Sequence, residues 1–124
     1  MKPSSSYKPS YIVIESQNVR TVFLNRKTLY SYSDLGDAFK IDTRKYAFQS
    51  QMKIFERMNL IKSISITTAN RNIRFLEIEI FQEIVNNGLE KEIKKQNIDR
   101  ENAKKTLDLI DQYVVKLGKE REIV

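Results

Sequence analysis

The spacing of apolar residues changes several times along this chain, and each change predicts an element. Tyr11-Ile12-Val13-Ile14 is a four-residue apolar run rich in β-branched side chains, which favours a strand. Beyond it Val19, Val22, Phe23 and Arg26 fall at helical spacing with Ser16 available as an N-cap, predicting a helix over 17–27. An alternative stays open: a strand from Val19 to Leu24, turning through Ser16-Gln17-Asn18 into a hairpin. From Ser33 the signals sharpen. Ser33 is placed to cap a helix of about two turns, with Asp34 complementing the dipole and Leu35, Ala38 and Phe39 on one face. Gly36 inside it costs ~1 kcal/mol relative to alanine, which the close approach of a second helix would offset. Ile41-Asp42-Thr43 makes the turn, and Asp42 or Thr43 caps a longer helix reaching about Met58. Phe48, Met52 and Phe55 form its inward stripe, while Tyr46, Gln49, Ser50, Lys53 and Arg57 lie on the other side.

The period then switches to two. Ile64 and Ile66 alternate with Ser65 and Thr67 in a strand over Ser63 to Thr68. Ala69-Asn70-Arg71-Asn72 turns into a return strand from Ile73 to Ile80. Ile73 and Phe75 are out of phase with Leu76, Ile78 and Ile80, so a bulge is expected near Phe75-Leu76. The last third is helical. Leu89, Ile93, Gln96, Arg100, Ala103, Leu107, Ile110, Val114 and Leu117 keep a four-three spacing, apolar at both ends and polar in the middle. Either one long helix runs through, or Asn97-Ile98-Asp99 is a turn and Asp99 caps a second helix that Gly118 terminates.

Charge changes the picture most. Between Lys40 and Arg74 there are eight cations (Lys40, Arg44, Lys45, Lys53, Arg57, Lys62, Arg71, Arg74) against Asp42 and Glu56. That surplus equals the net +6 of all 124 residues, so the other segments cancel. Such a localised basic patch points to a nucleic-acid partner. There is no cysteine and no histidine, which removes disulfides, zinc–thiolate sites and the commonest general base. The carboxylates are scattered singly among cations and the three glycines are isolated, so neither a catalytic pair nor a phosphate-cradling loop is visible. A non-enzyme with no cofactor and no metal is the expectation. No apolar run approaches the ~20 residues of a membrane span, and a cytoplasmic protein without membrane contact is expected. Residues 1–10, with two prolines and four serines, read as a flexible tail.

Residues 30–80 resemble the winged helix-turn-helix domain of MarR-type and PadR-type transcriptional regulators. The matching pieces are Leu35-Gly36 with Phe39, then Asp42 to Arg57, then Met58-Asn59-Leu60-Ile61 and the Ile64–Ile80 hairpin. The pattern covers about two-fifths of the chain and is one of element order. It departs from the family in a turn without the usual glycine and in the open reading of 17–27. The isoleucine-, lysine- and asparagine-rich composition is similar to that of small regulators from thermophilic archaea and their viruses or plasmids. The resemblance implies an α+β, mainly α fold: a winged helix-turn-helix domain over 11–81 and a C-terminal, coiled-coil-like dimerisation region over 82–124. It also implies that the helix over 43–58 enters the major groove of double-stranded DNA while the wing at 69–72 reaches backbone or minor groove. The DNA-binding residues would then be Arg44, Lys45, Tyr46, Gln49, Ser50, Lys53 and Arg57, with Asn70, Arg71 and Asn72 at the wing tip.

Arg44 and Lys45 in a first helical turn oppose the dipole, a cost that a phosphate or guanine edge would reverse. Gln49 suits adenine, and Lys53 or Arg57 suits phosphate or guanine. Tyr46 reads equally as a base-packing aromatic or an edge of the core. The stripe Ala103, Leu107, Ile110, Val114 and Leu117 reads either as a homodimer seam or as a face packed back on the domain. The leading expectation is a dimeric regulator binding specific duplex DNA. A DNA-partition or replication adaptor, a protein-interaction module, and an RNA-binding or nucleoid-coating protein are the alternatives.

Overall fold

Two tight hairpins at the N-terminus set the architecture. Strand β2 (Ser10–Ile14) pairs antiparallel with β3 (Gln17–Leu24), and β3 with β4 (Lys27–Ser31), following a two-residue strand β1 (Ser6–Tyr7). Their loops, Glu15-Ser16 and Asn25-Arg26, hold both residues at positive φ: 51° and 67° in the first, 52° and 65° in the second. Two consecutive left-handed residues make a type I′ turn, whose twist matches that of the flanking strands. The chain continues through helices α1 (Tyr32–Phe39) and α2 (Tyr46–Arg57), strands β5 (Ile61–Ile66) and β6 (Arg71–Leu76), and helices α3 (Ile78–Lys94) and α4 (Arg100–Ile123). This computed structural model describes residues 6–66 and 71–123, with side chains over 8–66 and 71–118.

The sheet order is β1-β5-β6-β4-β3-β2; every neighbouring pair is antiparallel except β1 with β5. β1 and β2 thus sit at opposite edges although only Lys8 and Pro9 separate them. Three Cα–Cα steps reach at most ~11 Å, whereas a flat sheet of this width spans about 24 Å between its edge strands. The sheet must therefore roll until its edges nearly meet. The packing agrees. Val22, Leu29, Ile64, Ile66, Ile73 and Phe75 form a buried cluster built from strand residues alone, filling the concave face. The convex face carries Ile14, Val19, Tyr30, Ile61 and Leu76 into the larger core with all four helices.

That larger core runs from Ile14 to Leu117, so α3 and α4 share one interior with the sheet. α3 lies so close to α2 that a Cβ at Gly88 would overlap the Phe48 ring. Gly36 has a similar role, but its neighbours are the Thr43 methyl and the Ile41 carbonyl of the inter-helix turn, not a second helix.

The winged helix-turn-helix expectation is overturned. The segment over 17–27 is mostly strand β3, because the hairpin alternative prevails with its turn at Glu15-Ser16. The strands expected to form a wing belong to the six-stranded sheet instead: β6 pairs with β5 along its length and with β4 at Phe75 and Leu76, and its Ile73 and Phe75 line the rolled interior. The protein is α+β, with a five-strand antiparallel sheet β2-β3-β4-β6-β5 extended by β1, and a C-terminal helical pair. The phase change at Phe75-Leu76 is not a bulge. Strand ends and helix begins there, so Ile78 and Ile80 belong to α3.

Smaller corrections concern the caps and ends. Ser31, not Ser33, caps α1, its hydroxyl accepting from the Asp34 amide at 3.3 Å. α2 begins at Tyr46 after Lys45 without a side-chain cap; Asp42 instead accepts from the Arg44 amide at 3.0 Å. The C-terminal region is two helices, with Asp99 accepting from the Asn102 amide at 2.8 Å, and α4 runs through Gly118. Ser6, Tyr7 and Ser10, assigned by composition to a tail, lie in strands.

Candidate nucleic-acid interface

Helix α2 presents the residues singled out from sequence on one side, because its other side is anchored. Ala47, Phe48, Gln51, Met52 and Phe55 are buried, and Gln51 accepts from Asn87 of α3 at 3.1 Å. The four-three-four spacing of Tyr46, Ser50, Lys53 and Arg57 then forms an outward stripe. Tyr46 is 75% exposed, which removes it from the core. Lys53 and Arg57 are exposed, as are Ile54 and Met58 beside them, two apolar side chains that sequence reasoning did not flag. Ser50 donates to the Ala47 carbonyl at 3.3 Å and accepts from Lys91 of α3 at 3.5 Å. That contact brings a further cation to the stripe, from 41 residues away in sequence.

Gln49 lies around the helix from this stripe, on a groove between α2, the start of α1 and β6. The groove is lined by Tyr32, Ser33, Thr43, Gln49, Met52 and residues 71–74, with a volume of about 240 Å³. Arg71 and Asn72, the first residues of β6, thus line the same groove as Gln49. Asn70 lies outside the described residues. Tyr32 forms part of the wall, and its buried phenol oxygen has no hydrogen-bond partner among the described residues. Burial pushes that phenol well above its usual pKa, with Arg74 pulling slightly the other way. Tyr32, Thr43 and Arg74 were not singled out from sequence as site residues; Arg74 could have been, since it shares strand phase with Asn72.

The cations divide into two sets. Three of the eight are held by carboxylates of the same chain. Arg44 pairs with Asp42 at 3.1 Å, Lys45 with Glu92 at 3.1 Å, and Arg74 with Glu56 at 3.1 Å. The first pair is a local turn: Arg44 holds the Asp42 carboxyl below its usual pKa, mainly through the side-chain hydrogen bond. The second is an anchor. The Glu92 side chain is only 8% exposed, and bonds from Asn97 and Lys45 keep its carboxyl below the usual range. Lys45 therefore braces α2 against α3, a role its sequence position gives no hint of. Lys40, Lys53, Arg57, Lys62 and Arg71 are exposed and enter no ion pair among the described residues.

The C-terminal stripe faces inward. Ala103, Ile110 and Leu117 are buried in the main core, and Leu107 and Val114 pack against it, so the chain itself covers the seam proposed for dimerisation. Among the described residues no group of His, Cys, Asp or Glu is placed to hold a metal ion, and no helix is long and apolar enough to cross a membrane. Comparisons with protein-family models, curated proteins and solved structures returned no match.

Proposed function

We propose that this chain binds duplex DNA, laying the exposed stripe of α2 into the major groove and using the adjoining β6 groove for backbone contacts. The observation that carries the reading is the division of the cations. Residues 40–74 spend three of eight on internal carboxylates, and the other five are exposed and enter no ion pair among the described residues. Exposed cations without carboxylate partners are available to a polyanion. A helix of 12 residues is ~18 Å long and fits a groove about 12 Å wide. Lys53 and Arg57 suit phosphate or guanine, and the exposed Ile54 suits a thymine methyl.

Electrophoretic mobility shift across salt concentrations tests this. Each phosphate contact contributes about −0.9 to the log–log slope, so affinity should fall steeply with salt. The pair Lys53→Gln/Arg57→Gln should flatten the slope by about 1.8, since each lost contact removes ~0.9. Removing a self-neutralised pair, Asp42→Asn with Arg44→Gln, should change it by less than about 0.5. A salt-independent shift, or equal effects from the two double variants, rules the reading out. Site selection from random duplexes then separates a promoter-reading regulator from a partition adaptor or a coating protein, the last showing no preferred sequence.

A further inference from the structure

We propose that the pocket between the α1–α2 turn, α3 and the first turns of α4 binds a free α-amino acid with an apolar side chain. The inference does not depend on DNA binding. The pocket has a volume of about 230 Å³, smaller than the roughly 300–1,000 Å³ typical of sites for larger ligands, so its occupant is small. Every lining residue falls within 40–48 or 89–98 or is Thr106, all in described segments. Part of the lining is apolar. Ile41, Phe48 and Leu89 are buried members of the main core that reach the pocket, and half-buried Ile98 joins them from the α3–α4 turn.

The charged groups of the lining select a molecule with two heads of opposite sign. Glu92 lines the pocket with a side chain that is only 8% exposed. Its Oε1 accepts from Lys45 at 3.1 Å and its Oε2 from Asn97 at 3.2 Å. A carboxylate offers about four lone-pair sites, so each oxygen keeps room for a further donor that scarce water at a buried site supplies poorly. A ligand ammonium fills that room. The Lys45–Glu92 pair cancels in charge, as does Asp42 with Arg44 at 3.1 Å. Lys40 is then the one lining charge with no ion pair among the described residues, and it selects a carboxylate. Its exposed, flexible stem lets the ammonium follow that group. A carboxylate alone would satisfy Lys40 and set a second anion near Glu92 with its lone pairs still unfilled. An amine alone would leave Lys40 without a partner. An α-amino acid carries both heads on one carbon and lays its side chain against Phe48, Leu89 and Ile98.

Amide chemical-shift titration of the isotope-labelled full chain with L-leucine, L-methionine and L-phenylalanine, without DNA, tests this. At least one should bind with a Kd on the order of 1 mM, as suits a ligand of so few atoms. The shifts should centre on residues 40–48, 89–98 and Thr106. Isocaproate is leucine without its ammonium and isoamylamine is leucine without its carboxylate; each should bind about tenfold more weakly than leucine. Lys40→Gln should weaken the amino acid about fivefold and leave isoamylamine unchanged, because only the carboxylate meets Lys40. Lys62→Gln, which alters an exposed lysine on β5, should change neither. Absence of shifts with all three amino acids at ~20 mM overturns the proposal. So do shifts centred away from this pocket, isocaproate binding as tightly as leucine, or equal effects from Lys40→Gln and Lys62→Gln.

Discussion

Gly88→Ala should destabilise this protein, although alanine is the better helix former, and the sign should reverse once Phe48 is trimmed. Gly88 lies within α3, where alanine is favoured by ~1 kcal/mol. A Cβ there would overlap Phe48 Cδ1 and stand 2.5 Å from Cε1 and 3.3 Å from Cγ. The ring cannot easily yield, because Phe48 is only 3% exposed and is enclosed in the main core. Forcing a methyl into such packing costs roughly 1–3 kcal/mol or more. The overlap is at the severe end, so the net effect should be a loss of about 1–2 kcal/mol after the propensity gain. In a Phe48→Leu background the obstruction is a smaller, flexible side chain, and the same Gly88→Ala change should be neutral or stabilise by up to ~1 kcal/mol. The coupling between the two sites should then be about 2 kcal/mol, within the range for residues in direct contact. Urea denaturation of the four proteins of the cycle, followed by circular dichroism, gives the numbers. If Gly88→Ala stabilised the wild-type background, or if the two changes were additive within ~0.5 kcal/mol, the α2–α3 packing described above would be wrong.

Other outcomes follow from the same coordinates. Lys45→Met should cost about 1–3 kcal/mol, a discounted figure for a buried pair because the lysine is half-exposed, and Glu92→Gln should recover part of that loss in the double variant. The Glu92 carboxyl is depressed in the folded state, so its stabilisation is complete above the ordinary value of 4.5 and disappears as pH falls through the lower folded value. Acid titration of thermal stability should therefore show a smaller loss below pH 4.5 in Glu92→Gln than in wild type. Asp34→Ala removes the carboxylate that binds the Arg20 amide and guanidinium, and chemical denaturation should register a loss of ~2–3 kcal/mol. Tyr32→Phe deletes a buried hydroxyl that has no partner among the described residues, so stability should hold or rise by up to ~1 kcal/mol.

Much of the middle of the chain was legible because its signals are local. The inward triplet Phe48, Met52 and Phe55 declared the buried side of α2, and the charge between Lys40 and Arg74 marked the stretch that carries the exposed cations Lys53 and Arg57. The N-terminal hairpins were harder to read, since Glu15-Ser16 and Asn25-Arg26 adopt type I′ geometry without the glycine that usually advertises it. Val19, Val22 and Phe23 fit a helical period equally well, and pairing with β2 and β4 decided between the two.

The sequence by itself determined which stretches alternate, which are amphipathic and where the positive charge accumulates, because these depend on residues within a few positions of one another. Only the tertiary structure decided what those stretches meet. It rolled the sheet by bringing β1 to β5, turned the Ala103–Leu117 stripe inward, and separated bracing cations such as Lys45 from exposed ones such as Lys53. Those outcomes rest on contacts between distant segments, Lys45 with Glu92 across 47 residues among them, and no local spacing encodes such a pairing.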